Sequence, residues 1–301
     1  MNNVKEIISS LREGDFKSLA RAITIVENEL GGYEEILLSL NSRASIPIIG
    51  ITGPPGAGKS TLINSLVGYL LQQKKRIAIV AVDPTSPFNY GSLLGDRLRL
   101  SAFFNHPDVF IRSLASRGSL GGLSEKIIEV TDVLRQSNFD YIFVETVGVG
   151  QSEVEIAGLA DTTVVVFVPE SGDDIQTMKS GIMEIADIFV VNKCDREGAD
   201  RFAVNLRHLI HDKEHLEWTA PVVKTSAMNN EGVGELVMHI DKHNRENTNN
   251  EKKIFLLTEK AFRLLQRERM RGVSKANIHE KISAHEKEAD FNLYKFVKSM
   301  A

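Results

Sequence analysis

Residues 46–61 read Ile-Pro-Ile-Ile-Gly-Ile-Thr-Gly-Pro-Pro-Gly-Ala-Gly-Lys-Ser-Thr, and this stretch decides the architecture. The apolar run Ile46–Thr52 has the makeup of a buried strand, and a helical pattern follows from about Thr61 to Gln73. Between them Gly53, Pro54, Pro55, Gly56, Ala57 and Gly58 lead into Lys59, Ser60 and Thr61. Glycines at this spacing let backbone N–H groups turn inward around an anion without side-chain clash. Lys59 would neutralise charge on the β- and γ-phosphates, and Ser60 would offer its hydroxyl to Mg2+. The helix that follows aims its positive end at the same anion. A strand, a glycine loop and a helix in that order make a phosphate cradle for a nucleoside triphosphate.

Working outward, only Lys74 and Lys75 separate the helix from the next apolar run, Arg76–Val82. A strand, a helix and a strand joined this tightly form a parallel, right-handed unit. Further β-rich runs follow at Phe139–Val144, Thr162–Val168, Ile188–Val191 and Val222–Thr225, alternating with helical stretches. The expected fold is α/β: a P-loop NTPase domain with a mostly parallel central sheet, plus N-terminal and C-terminal helical extensions. Residues 4–40 read as helical, with Leu19, Ala22, Ile23 and Val26 at helix spacing and Gly31-Gly32 ending the run. His243 to Lys253 has almost no apolar residue and reads as a linker. Beyond it Ile254, Leu257, Ala261, Leu264 and Leu265 mark an amphipathic helix, and a short helix covers Phe291 to Met300. The expected division is an N-terminal arm at 1–44, a nucleotide-binding domain at 45–242, and a linker with a C-terminal arm at 243–301.

Composition narrows the class. With 301 residues, 42% hydrophobic and 25% charged, the chain has the makeup of an ordinary globular protein rather than a disordered or fibrous one. The longest nearly apolar stretch, around Val164–Val168, is far short of the roughly 20 residues that span a bilayer. The start, Met1-Asn2-Asn3-Val4-Lys5-Glu6, has no basic region followed by an apolar core, so no signal peptide is expected. Cys194 is the one cysteine, which removes an internal disulfide and any multi-thiolate metal site and points to the cytoplasm. A net charge of -4 gives no pull toward nucleic acid. From Glu251 onward there are 12 Lys and Arg against 7 Asp and Glu, a local +5 that a solvated amphipathic helix accounts for.

The base is read from a second motif. The run Ile188–Val191 passes directly into Asn192-Lys193-Cys194-Asp195, which resembles the NKxD signature of GTPases. There the carboxylate accepts two hydrogen bonds from guanine N1 and N2. Adenine has no such donor pair, and an unmatched buried polar group costs about 1–3 kcal/mol, enough to discriminate. Thr225-Ser226-Ala227 follows the next strand and resembles the loop that touches the guanine carbonyl in the same proteins. GTP is expected over ATP.

Three acids lie at or beyond strand ends facing the cradle. Asp83 follows the second strand, Asp96 sits in Gly91-Ser92-Leu93-Leu94-Gly95-Asp96-Arg97, and Glu145 opens Glu145-Thr146-Val147-Gly148-Val149-Gly150-Gln151. The last segment reads as the metal-holding and γ-phosphate-sensing element, with Gly148 offering its N–H to the phosphate. Glu145 stands where Asp is commoner and is one methylene longer. Asp83 and Glu145 are better placed for a metal than Asp96. Val149 holds the place of the water-orienting Gln of Ras-like enzymes, with Gln151 two residues later, so hydrolysis by the lone chain is expected to be slow and partner-stimulated. Arg97 and Arg117 are candidate charge stabilisers.

Assembled in order, GPPGAGKST, AVDPTS with GSLLGDR, RGSLGG, ETVGVGQSE, SGDDIQ, KSGIMEIAD and NKCD resemble the MeaB/ArgK (LAO/AO) family, GTPase chaperones of cobalamin-dependent acyl-CoA mutases such as methylmalonyl-CoA mutase. The resemblance runs from about Leu19 through Ala227. It implies a GTPase domain flanked by an N-terminal helical arm and a C-terminal arm through which the chain forms a homodimer. It implies that Asp83, Asp96 and Glu145 are the Mg2+-linked acids, and that GTP hydrolysis gates delivery of adenosylcobalamin to the mutase, the cofactor reaching this chain only through its partner. Two stretches depart from the family. Phe88-Asn89-Tyr90 replaces smaller residues, and the third switch, 173–181, has Thr177 and Ser180 where Gly and Lys are usual, while Lys179 remains.

Two other readings share parts of this pattern. A nickel- or zinc-insertion GTPase would carry a metal tract, for which His208, His211 and His215 on one helix face are the candidates. An ATP-dependent kinase serving basic amino-acid transport would need a base pocket other than Asn192–Asp195.

Overall fold

The computed structural model describes residues 2–41, 46–83, 97–115, 123–146, 155–172, 182–211, 218–246, 250–285 and 291–300. Among these, seven strands form one sheet, every adjacent pair parallel: β1 (Ile48–Thr52), β2 (Ile77–Asp83), β3 (Val109–Ala115), β4 (Tyr141–Glu145), β5 (Thr162–Phe167), β6 (Ile188–Asn192) and β7 (Val222–Thr225). Their spatial order is β3-β2-β4-β1-β5-β6-β7. The chain leaves β1 toward one edge and later returns to build the other, so β1 and β5 flank the reversal point. In open α/β sheets, ligands bind outside the carboxyl ends of the strands at that place.

Apolar residues on both strand faces create a core on each side of the sheet. On β5, Val164 and Val166 pack with Leu62, Ile63 and Leu66 of α4 (Lys59–Gln72) and with Leu236 and Ile240 of a later helix (Val233–Glu246). Val165 and Phe167 face the other way, against Phe189, Phe202 and Leu206. This is the period-two alternation of a strand buried on both faces.

Before the sheet lie three helices, α1 (Asn2–Arg12), α2 (Phe16–Glu27) and α3 (Tyr33–Leu38). The single helical stretch expected over 4–40 is thus divided first at Gly14, whose φ of 90° no continuing helix adopts. Asp15 then caps α2, accepting from the Ser18 N–H at 2.7 Å. Leu19, Ala22, Ile23 and Val26 are fully buried, as their spacing requires. Phe16 stacks on Phe139 and meets Phe110 edge-on, and Glu27 pairs with Arg112 of β3 at 2.5 Å.

β3 was not among the expected strands. Its run, Val-Phe-Ile-Arg-Ser-Leu-Ala, has two polar residues in its middle, which hides the apolar pattern. As an edge strand it pairs with β2 alone, and Arg112 is stabilised by Glu27 rather than by burial among strands.

The remaining helices are α5 (Ile127–Leu134), α6 (Ile182–Ile185), α7 (Ala199–His211), α8 (Val233–Glu246), α9 (Asn250–Arg269), α10 (Lys275–His285) and α11 (Leu293–Met300). The linker expected from His243 is corrected here: α8 runs on to Glu246, and α9 begins at Asn250. His243 is buried, its Nδ1 2.7 Å from Thr162 Oγ1 and its Nε2 3.2 Å from Asp187 Oδ1. Trp218 meets the imidazole edge-on at 4.8 Å. A polar helix end packed this way is indistinguishable from linker by composition alone. The chain divides into two compact units, residues 1–253 and 254–301. In the second, Ile254, Phe255, Leu257, Phe262 and Leu265 are each at least half exposed, so the amphipathic helix forms but leaves much of its apolar face uncovered. No described helix is long and apolar enough to cross a membrane.

Candidate nucleotide site

The loop between β1 and α4 is shaped by two glycines. Gly53 has φ 137°, and a Cβ there would collide with the Val166 carbonyl of β5. Gly58, the N-cap of α4, has φ 87°, and a Cβ there would lie 2.5 Å from Asn192 Nδ2. Both conformations disfavour an L side chain, and both bring backbone close to a neighbouring strand. Pro55 and Gly56 are exposed at the loop tip, whereas Ala57 is buried. Lys59 curls over its own loop: Nζ donates to the Gly53 carbonyl at 2.8 Å and to the Pro54 carbonyl at 3.2 Å.

Ser60 Oγ donates to Glu145 Oε1 at 2.6 Å, and both residues are buried. Next to them Thr52 and Thr146 share a hydroxyl–hydroxyl bond of 2.9 Å. A hydroxyl and a carboxylate this close are hard oxygen donors, the chemistry Mg2+ selects, with its remaining positions left to water and phosphate. β2 brings Asp83 to the same edge, two residues past Ala81, the register partner of Glu145. Asp96, Gly148 and Lys179 lie outside the described residues, as do Arg117, Gln151 and the departures at 88–90, 177 and 180.

The base motif reaches back to the phosphate loop. Asn192 Nδ2 donates to the Ala57 carbonyl at 2.9 Å, and Lys193 Nζ to the Gly56 carbonyl at 2.8 Å. Lys193 holds φ 57°, a left-handed conformation rare for a long side chain. Asn192 Oδ1 accepts from Thr225 Oγ1 at 3.1 Å and from the Ala227 N–H at 3.2 Å. The Cys194 N–H donates to the Thr225 carbonyl at 3.0 Å, while burial pushes the Cys194 thiol up. Exposed Asp195 accepts from Ser226 Oγ at 2.7 Å, and that hydroxyl holds its carboxyl below the usual range. The carboxylate is thereby kept an acceptor facing solvent, which suits a pair of base N–H donors.

Gly53 through Thr61, Glu145, Asn192, Lys193, Asp195, Ser226 and Ala227 therefore meet at the carboxyl edge of one sheet, although they are scattered over the sequence. Two further polar contacts at this edge are absent from the sequence reading. Ser65 Oγ donates to the Ala227 carbonyl, and Asn229 Nδ2 donates to Ser226 Oγ at 3.0 Å. Ser65 had one signal, a serine between apolar residues on a buried helix face; Asn229 had none. Of the histidine tract, His208 is exposed on α7, His211 ends that helix and His215 lies outside the described residues. No group of three or more His, Cys, Asp or Glu that could hold a metal ion occurs among the described residues.

The model of the family described as methylmalonyl Co-A mutase-associated GTPase MeaB matches residues 19–286. A Pyrococcus abyssi protein with GTPase in its name is 49% identical over 80% of this chain and 76% of its own. Escherichia coli GTPase ArgK is 36% identical over 77% of this chain and 73% of its own. A solved structure described as LAO/AO transport system kinase superposes with TM-score 0.69 at 24% identity, covering 99% of this chain and 96% of that one, which is a likeness of fold. The chain belongs to the MeaB GTPase family.

Proposed function

We propose that this MeaB-family chain is a Mg2+-dependent GTPase that gates adenosylcobalamin loading and protection of methylmalonyl-CoA mutase or a related acyl-CoA mutase. The observation that carries the GTP reading is the bonding of the base motif to the phosphate loop, Asn192 to Ala57 and Lys193 to Gly56. A nucleotide held at one end is thereby positioned at the other. On binding, Lys59 exchanges its bonds to the Gly53 and Pro54 carbonyls for the β- and γ-phosphate oxygens. Asp195 accepts from guanine N1 and N2. The Ala227 N–H, which donates to Asn192 Oδ1 at 3.2 Å, would turn to the guanine carbonyl.

Ser60 and Glu145 would hold Mg2+, with Asp83 and Asp96 as the further acids, and Gly148 and Lys179 would sense or stabilise the γ-phosphate. The ion supplies charge neutralisation on the phosphates as the anhydride breaks. Turnover by the lone chain is slow for want of a Gln directly after Gly148, and the mutase stimulates it. The family description supports the mutase as partner. The half-exposed apolar row of α9 supports a homodimer, and the single cysteine supports a cytoplasmic setting.

Calorimetry with GTP, GDP and ADP in magnesium buffer tests the nucleotide reading. Heat with the guanine nucleotides and none with ADP is expected, and no heat with either guanine nucleotide overturns it. Co-purification with methylmalonyl-CoA mutase in a non-hydrolysable GTP analogue tests the partner. Equal recovery with and without the analogue would overturn the gating role.

A further inference from the structure

The base-recognition loop is braced from two sides by residues that no motif contains. From below stands Ser65, on the same helix as Lys59 and Ser60, buried to 7% exposure, its hydroxyl donating to the Ala227 carbonyl. Ala227 is itself buried against the apolar face of that helix, in one cluster with Leu62, Ile63 and Leu66. From the solvent side Asn229 donates to Ser226 Oγ at 3.0 Å, and Ser226 donates onward to Asp195 Oδ1 at 2.7 Å.

The direction of these bonds is forced by chemistry. The Asn229 amide nitrogen can only donate, and a serine hydroxyl has one proton. Accepting from Asn229 therefore leaves Ser226 to spend its proton on Asp195, which fixes the rotation of that carboxylate. The loop is also closed on itself. Ser226 and Glu231 exchange two backbone bonds of 3.2 and 3.1 Å, and Asn230 turns the chain at φ 58°. The loop is thereby tied to α4 at Ala227 and to the base motif at Asp195.

We propose, resting on the guanine reading above, that Ser65 and Asn229 are positioning residues for base selection. Ser65 ties Ala227 to the helix that carries the phosphate grip, so that the contact to the guanine carbonyl and the contact to the phosphates share one rigid frame. Asn229, acting through Ser226, sets the Asp195 carboxylate for its two bonds to the guanine edge. Neither side chain touches the nucleotide.

The test compares nucleotides that each lack one recognition point. IDP has no 2-amino group and reports the second bond to Asp195. 6-Thio-GDP keeps N1–H and the 2-amino group, replaces the carbonyl oxygen with a weakly accepting sulfur, and reports the loss of the carbonyl contact. Asn229→Ala should lower the preference for GDP over IDP about three- to tenfold, the range of one misplaced hydrogen bond. Ser65→Ala should lower the preference for GDP over 6-thio-GDP by a similar factor, and Ser65→Thr should restore it. Asn229 is exposed, so its variant folds and keeps the melting temperature of the parent. A preference ratio that stays unchanged in either variant, or both nucleotides weakening in proportion, overturns the role of that residue. If the parent protein binds no GDP, the guanine reading itself fails, a result the variants alone could not produce.

Discussion

The Ser60 hydroxyl, on the first turn of the phosphate-loop helix, donates to Glu145 Oε1 2.6 Å away at the end of β4. The two residues proposed to hold Mg2+ are bonded to each other in this structure, and the Ser60 oxygen keeps lone pairs that the ion would use while its proton stays directed to Glu145. Glu145→Gln keeps an acceptor for Ser60 and removes the charge. We expect GTP turnover to fall at least about tenfold while GDP affinity changes less than about threefold. Single-turnover assays across a magnesium titration measure both, and unchanged turnover would remove Glu145 from the metal site.

Lys59 presents its ammonium to two carbonyls of its own loop. Lys59→Ala should raise the GDP dissociation constant by about 10- to 100-fold, the worth of a charge-assisted hydrogen bond of about 1.5–3 kcal/mol. The melting temperature should fall as well, because the freed Gly53 carbonyl is buried, whereas the Pro54 carbonyl lies at a half-buried residue that water can reach. Calorimetry decides, and wild-type affinity would refute the cradle.

Asp195→Asn should loosen the preference for guanine about tenfold by removing one of two acceptors. The sign of the pH dependence follows from the Ser226 bond. That bond lowers the Asp195 pKa from its ordinary 3.8, so the charged acceptor is favoured above this value and is lost only as pH falls through the lowered one. The contribution of Asp195 to GDP affinity should therefore be flat from pH 8 to pH 5, and Ser226→Ala should shift its acid limb upward. A limb in the same place for both proteins would show that the hydroxyl does not tune the carboxylate.

Gly53→Ala should destabilise the fold by about 2 kcal/mol or more, since φ 137° is strained for alanine and the Val166 carbonyl leaves no room for a Cβ. Urea unfolding of the nucleotide-free protein gives the number. A loss below a few tenths of a kcal/mol would mean that the loop relaxes away from β5.

His243→Ala should cost about 2 kcal/mol, because it removes an imidazole packed against Trp218 and bonded to Thr162 and Asp187. A segment acting as linker would tolerate the change within about 0.5 kcal/mol, so the same unfolding experiment separates the two descriptions.

The parts legible in the sequence were those whose chemistry is local. A glycine loop with Lys59 and Ser60 must follow a strand and open a helix, and Asn192 to Asp195 must leave a strand end. The parallel order came from the two-residue gap at Lys74-Lys75. β3 and the end of α8 were misread because polar residues there are stabilised by distant partners, Arg112 by Glu27 and His243 by Thr162 and Asp187. Local pattern holds no record of a partner many residues away.

The order of the motifs along the chain settled which family this protein belongs to and which nucleotide chemistry its residues suit, since backbone freedom, charge and hydrogen-bonding capacity are properties of residue type. Folding decided the rest. Only the parallel sheet brings Ser60 against Glu145, Asn192 against Ala57 and Ser65 against Ala227, because hydrogen bonds act over about 3 Å in space and take no account of separation along the chain.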